Sequence, residues 1–226
     1  MSAYGKAAKR SAVALVPLFL ALFASAGDLG WPAAWCYVGI VLGSSGLMLF
    51  GPFRLDETLV EERLGKPKAG AARWDRIFVA LVGVFSLAEL LVPGFDRRFG
   101  WTTGTQPWEF WCGLAAVATG TAGLMWAMRT NRFFSTVIRI QNDRGQHVVE
   151  GGPYRYVRHP GYAFWAIKTV GVPLLLGSHW AFGVAVPFIA MFVVRTALED
   201  RLLANELPGY SEYAARTKWR LLPCVW

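Results

Sequence analysis

Cysteine is scarce in this sequence: there are 3 in 226 residues, at 36, 112 and 224. They are scattered, odd in number and never form a CxxC pair, so neither a disulfide framework nor a zinc site is indicated. Cys224 stands third from the end, which excludes the prenylation pattern. Charge is scarce as well, at 17% of residues, against roughly a quarter in soluble domains. There is no internal repeat and no low-complexity segment. What fills the space is apolar: 54% of residues are hydrophobic and 11 are tryptophan. That composition belongs to a membrane protein, not a soluble globular domain.

Apolar runs approaching the roughly 20 residues of a helical span occur at 11–26, 31–50, 77–93, 108–128, 161–177 and 180–194. The expected fold is therefore an all-α integral membrane protein of about six transmembrane helices. The first run follows Lys6, Lys9 and Arg10 and ends Ala24-Ser25-Ala26, so it also resembles a signal peptide; it is taken here as a span. Of the 23 Lys and Arg residues, 19 fall before the first span, in the loop at 51–76, in 129–158 or after the last span. The opposite side holds only Arg97 and Arg98, and Lys168 and Arg195 lie within spans. This asymmetry predicts both termini and the loops at 51–76 and 129–158 on the cytoplasmic side, as in a bacterial inner-membrane protein. The net charge of +8 is then explained by topology and anionic membrane lipids, with no nucleic-acid partner.

The chain divides into scaffold spans, 1–128, and a chemically richer region, 129–226, within one structural domain. The loop at 51–76 has room for a short helix before Gly65. Tryptophans at 31, 35, 74, 101, 108 and 180 fall near span ends, as an interfacial belt requires. Glu89 lies inside the third span. It is expected near the far interface, one turn from Pro93 and wet; the other possibility is an inward-facing, partnered carboxylate. The polar segment 129–160 contains "VIRIQ" and the turn signal "NDRG", which together predict a short β-hairpin.

The last two spans are joined only by Gly177-Ser178-His179, so they must run antiparallel. Their ends on the basic side are then neighbours. One end carries "GGPYRYVRHPGY" (151–162) and the other "RTALEDR" (195–201). Arg158 and His159 should therefore meet Glu199 and Asp200, though forty residues part them in sequence. Pro160 suits the first turn of a helix, and the free N–H groups there make an anion site beside Arg158 and His159. Arg195 and Glu199 are four apart and are expected to pair. Tyr154, Tyr156 and Tyr162 supply aromatic faces for a flat ring or a cation. The combined demand fits S-adenosylmethionine, which has a carboxylate, an ammonium, a ribose diol, an adenine and a sulfonium. Dinucleotides and phospholipid headgroups fit parts of it. No metal is required.

The cassette "GGPYRYVRHPGY", followed by "LEDRLL" and then "LPGYSEYAARTKWRLLP", resembles the isoprenylcysteine carboxyl methyltransferase family and its bacterial phospholipid and small-thiol relatives. The resemblance covers 131–226. It implies a multi-span helical enzyme using S-adenosylmethionine from the cytoplasm. It also implies cofactor binding by Pro153, Tyr154, Arg158, His159, Pro160, Tyr162, Glu199, Asp200, Leu207, Gly209, Tyr210 and Tyr213. Asp200 stands where glutamate is more typical. Arg195 is the expected cation for an acceptor carboxylate or thiolate, with Glu199 and with His159 or His147 as candidates for proton handling. The acceptor is expected to be a lipophilic or small molecule entering from the bilayer. The alternatives are an NADPH-dependent membrane reductase of the sterol-reductase type and a non-catalytic membrane scaffold.

Overall fold

The computed structural model describes residues 2–65 and 73–226; Lys66 and Lys68 of the 51–76 loop lie outside them. The order is α1 (Ala3–Phe19), α2 (Pro32–Leu49), α3 (Glu57–Leu64), α4 (Arg73–Phe99), α5 (Pro107–Thr130), α6 (Pro160–Leu176), α7 (Phe182–Glu206) and α8 (Tyr210–Arg216). α1 continues through a π-helical turn, Leu20–Ala24, just beyond Pro17. Five of these helices are long and apolar enough to cross a membrane: Ala3–Ala24, α2, Trp74–Phe99 of α4, α5 and α7. The expected fifth span forms as α6, which at 17 residues is shorter than these five. Large apolar side chains such as Val13, Val84, Trp111 and Val186 face outward, as a lipid-facing surface requires.

The expected short helix before Gly65 is α3. Asp56 caps it, accepting from Thr58 N at 2.9 Å, and Leu59 and Val60 pack on Tyr4, Leu49 and Met128. α6 lies between α7 and α5 and is packed most closely on α5. Glycine makes that approach possible. A Cβ added at Gly120 would stand 2.6 Å from Lys168 N and Phe164 O, and one at Gly113 only 2.1 Å from Leu175 N. Small residues at helix seams are how membrane bundles bring backbones together without a hydrophobic driving force.

At the end of the bundle away from the basic loops, the α6–α7 link is pinned by carboxylates. Asp96 accepts from Thr102 N and Oγ1 at 2.6 Å and from Ser178 Oγ at 2.5 Å. His179 Nε2 stands 2.7 Å from Glu109 Oε2. Two expectations are corrected here. Trp31 is not an interfacial residue but sits in the main core with Leu22, Phe23, Tyr37 and Val172. Glu89 is not wet: it is buried against Lys168 and Thr169 of α6. An ionisable group in a span is costly unless it faces inward to a partner, and the packing of α4 beside α6 supplies that partner.

A third correction concerns 131–150, where no β-hairpin forms. The segment is irregular, with one 3₁₀ turn at Asn142–Arg144. The N–H groups that a partner strand would use go to side chains. Ile138 N donates to Asp75 Oδ2 at 2.8 Å, and Gln141 N to Gln146 Oε1 at 2.6 Å.

Candidate functional site

The cassette folds as a 3₁₀ turn, Gly152–Arg155, followed by an extended link into α6. Pro160 takes the first position of α6, with His159 as its cap. The C-terminal tail crosses over this link: Arg158 N donates to Trp219 O and His159 N to Arg220 O, both at 2.9 Å. α7 runs back antiparallel to α6, and the two sequence segments meet as its length dictates.

Asp200 is the centre of the meeting. Arg158 Nη2 reaches its Oδ2 at 3.0 Å, His159 Nε2 its Oδ1 at 3.2 Å, Tyr210 Oη donates to Oδ1 at 2.8 Å and Arg220 Nε to Oδ2 at 2.8 Å. The anion that Arg158 and His159 hold is thus Asp200 itself. Arg220 escaped the sequence reading, since its partner is twenty residues away on another element.

Glu199 is differently placed. Tyr162 Oη donates to its Oε2 at 2.6 Å, and its side chain lines a cavity. That cavity is walled by Tyr154, Arg158, His159, Tyr162, Leu207, Tyr210 and Tyr213, and roofed by residues of 131–149. Tyr210 and Tyr213 come from α8, turned in by Gly209 at φ +81°. A left-handed backbone there favours glycine. Tyr213 Oη donates to Tyr154 O at 2.6 Å. Burial pushes the hydroxyls of Tyr154, Tyr210 and Tyr213 well above the ordinary tyrosine range, and for Tyr210 the Asp200 charge adds to the push. All three are therefore neutral donors. Pro153, Pro160, Asp200 and Gly209 do not line the cavity; they shape its walls from behind.

A second, apolar cavity of about 240 Å³ adjoins the first. Val79, Val82, Leu124, Trp165 and Phe192 line it, and Arg63 and Arg195 reach its edge. Phe134, Ser135, Gly161 and Tyr162 line both cavities and so form the wall between them. Gly161 is small for this reason: a Cβ there would sit 2.4 Å from the Phe134 ring. The ring thus covers the start of α6, where the sequence led us to expect an open anion site.

Arg195 belongs to the apolar cavity and does not pair with Glu199 as expected. Its Nη2 lies 3.1 Å from Asp75 Oδ1 and donates to Thr136 O at 2.9 Å, and its guanidinium stands 4.3 Å from the Phe78 ring centre. Asp75, fully buried on α4, was missed by sequence reasoning because its position near a span end reads as a solvated boundary residue. His147 is exposed over the roof, edge-on to Phe133 at 5.0 Å.

Comparison with known proteins places this arrangement. Residues 112–205 match the model of the Isoprenylcysteine carboxyl methyltransferase (ICMT) family. The ICMT match takes in most of α5, the roof, the cassette, α6 and nearly all of α7. It stops short of α8, so Leu207, Gly209, Tyr210 and Tyr213 lie beyond it. Cobalt-zinc-cadmium resistance protein CzcN of Cupriavidus metallidurans is 30% identical over 138 residues, which are 61% of this chain and 58% of that protein. Nickel-cobalt-cadmium resistance protein NccN of Alcaligenes xylosoxydans xylosoxydans is 28% identical over 117 residues, 51% of this chain and 54% of its own length. Uncharacterized protein YpbQ of Bacillus subtilis is 30% identical over 101 residues, 43% and 59% of the two chains. The chain thus matches little more than half the length of these curated relatives. The five span-length helices and the ICMT match support an integral membrane protein, one that is similar over 112–205 to a family of carboxyl methyltransferases.

Proposed function

We propose that the chain transfers the methyl group of S-adenosylmethionine, bound in the polar cavity, to a lipophilic acceptor lying in the apolar one. One observation carries this reading: a polar cavity and an apolar cavity share a single wall, made by Phe134, Ser135, Gly161 and Tyr162. A water-borne donor and an oily acceptor need separate compartments that touch at the reacting atoms.

The residues of the polar cavity fit the cofactor. Tyr154, Tyr210 and Tyr213 offer aromatic surface for a flat base. Glu199, engaged by Tyr162, offers its other oxygen to an ammonium or a ribose diol, a charge-assisted contact. The Tyr162 ring, stacked on His159 at 5.9 Å, presents a face to a cation. When bound, the cofactor supplies an electrophilic methyl on a cationic sulfur that leaves as a neutral thioether. The chain's own work is alignment, worth on the order of 7–11 kcal/mol when two reactants are held in register. Glu199 fixes the Tyr162 hydroxyl at the dividing wall, while Asp200 fixes His159 and Arg158 behind it. Trp165 and Phe192, stacked at 3.9 Å, keep water from the acceptor side. Arg195 is the cation for an anionic acceptor group, with Asp75 as its resting partner. The charge asymmetry of the loops supports a cytoplasmic mouth for the polar cavity.

Metal resistance is what the names of two relatives state of those proteins. In this chain no group of three or more His, Cys, Asp or Glu among the described residues is arranged to hold a metal ion, and methyl transfer is the reading the cavities support. The test is incubation of the purified protein with methyl-labelled S-adenosylmethionine and native lipid extract. Label is expected in the lipid phase. Binding of NADPH with no binding of S-adenosylmethionine, measured by calorimetry, would transfer the reading to a membrane reductase; binding of neither would leave a scaffold.

A further inference from the structure

On the basic side of the bundle, two arginines face each other without a carboxylate between them. Arg10 of α1 donates from Nη1 to Arg63 O at 3.2 Å, and Arg63 of α3 donates from Nη1 to Phe134 O at 3.3 Å. Neither forms an ion pair with a described residue. Other buried arginines of the chain are compensated: Arg139 by Glu62, Arg158 by Asp200 and Arg195 by Asp75. The acid nearest Arg63 on its own helix, Glu62, is directed to Arg139 at 3.0 Å. Burial and the neighbouring Arg10 charge both push the Arg63 pKa below its ordinary value. Two like charges, one of them withdrawn from water, form a local excess that a bound anion relieves.

The pair borders a cleft of about 330 Å³ between α1, α2, α3 and α5. Its lining has two characters. Arg10, Arg63, Ser11 and Ser45 supply donors; Leu49 and Met128 supply apolar surface. Three of its walls, α1, α2 and α5, are candidate membrane spans, so the apolar part lies where acyl chains run. We propose that this cleft binds an anionic phospholipid, its phosphate held by Arg10 and Arg63 with the hydroxyls of Ser11 and Ser45, and its chains lying along Leu49 and Met128. Guanidinium groups match phosphate oxygens in pairs. The apolar half selects a lipid over a free phosphate. Arg63, Met128 and Thr136 also line the apolar cavity beside Tyr162, so the lipid would sit against the acceptor's entrance. The site stands whether or not the chain transfers methyl groups, because its test reads binding alone.

The full chain is purified in neutral detergent and given equal amounts of dioleoyl-phosphatidylglycerol and dioleoyl-phosphatidylcholine, and retained lipid is counted by native mass spectrometry. The wild type should retain the anionic lipid on the order of tenfold more strongly, the value of one charge-assisted hydrogen bond. Arg10→Gln and Arg63→Gln should each bring the ratio near parity, and Arg63→Lys, which keeps the charge and loses the fork, should fall between. A double variant of the exposed Lys6 and Lys9, Lys6→Gln with Lys9→Gln, should keep the full preference, since neither lines the cleft. Thermal melting of each variant confirms that the fold persists. Equal retention of the two lipids by the wild type overturns the proposal. So does a Lys6/Lys9 variant that loses as much as the arginine variants, which would reduce the effect to diffuse charge. Displacement of the lipid by inorganic phosphate alone overturns it too, by assigning the cleft to a soluble anion.

Discussion

Replacing Asp200 with asparagine separates architecture from chemistry at this site. The side chain keeps its shape and loses its charge. In the native protein that charge is 7% exposed and sits among Arg158, Arg220, His159 and Tyr210 at 2.8–3.2 Å. The Arg158 side chain is itself only 8% exposed, so removing its partner leaves a buried cation uncompensated. Breaking a buried pair in this way costs about 3–5 kcal/mol. For a chain of this size each kcal/mol lowers the melting temperature by about 2–4 °C. Asp200→Asn should therefore melt about 6–20 °C below the wild type, followed by tryptophan fluorescence in detergent. The neighbouring Glu199→Gln is the control. Glu199 engages only Tyr162 among the described residues, so its melting temperature should stay within about 2 °C of wild type. Its affinity for S-adenosylmethionine should nevertheless fall about 10- to 100-fold, the value of one charge-assisted contact. If Asp200→Asn melts with the wild type, or if both variants lose stability equally, the division of labour between the two acids is wrong.

Three further outcomes are expected. Tyr162→Phe removes the 2.6 Å bond to Glu199 at the wall between the cavities, and should slow turnover about tenfold while cofactor affinity moves less; an unchanged rate would remove Tyr162 from the alignment. Gly120→Ala puts a methyl group 2.6 Å from Lys168 N and Phe164 O, so α5 and α6 must part, and stability should drop by about 1–3 kcal/mol in a chemical melt. The raised hydroxyl pKa values of Tyr154, Tyr210 and Tyr213 mean that the folded state holds protons the unfolded chain gives up near pH 10. Their contribution to stability is complete below that value and declines as pH rises above it, and tyrosinate absorbance from these three should appear only on unfolding.

The spans were legible because lipid exposure forces long apolar runs, and 108–128 and 31–50 are nearly the observed α5 and α2. The meeting of the cassette with Glu199 and Asp200 was legible because a three-residue link leaves helices no choice of direction. What stayed hidden were contacts set by burial between remote segments. Arg195 and Glu199 have ideal helical spacing, yet Arg195 turns to Asp75 because a fully buried carboxylate on the neighbouring helix outweighs a partly buried one on its own. The "VIRIQ" stretch has strand-like composition, but Asp75 takes the Ile138 N–H and a hairpin loses its register. The α5–α6 seam stayed hidden because Gly113, Gly120 and Gly123 share one helix face, but that spacing does not say which helix packs there.

Asp75 also explains how the two cavities are held as one unit. Its Oδ1 faces Arg195 in the wall of the apolar cavity, and its Oδ2 accepts Ile138 N in the roof of the polar one. Arg195 repeats the link by donating to Thr136 O in that same roof. The polar cavity is about 100 Å³, below the roughly 300–1,000 Å³ of ordinary ligand pockets, so a nucleoside enters only if the roof lifts. Among the roof's anchors to the bundle are these Asp75 and Arg195 contacts, the Arg139–Glu62 pair at 3.0 Å, and the bonds from Arg63 to Phe134 O and from Arg144 to Thr58 Oγ1. Under the proposed function, an anionic acceptor that engaged Arg195 would act on two of the bonds that hold the roof down. On that same reading, donor access and acceptor binding would then be coupled through this buried ion pair.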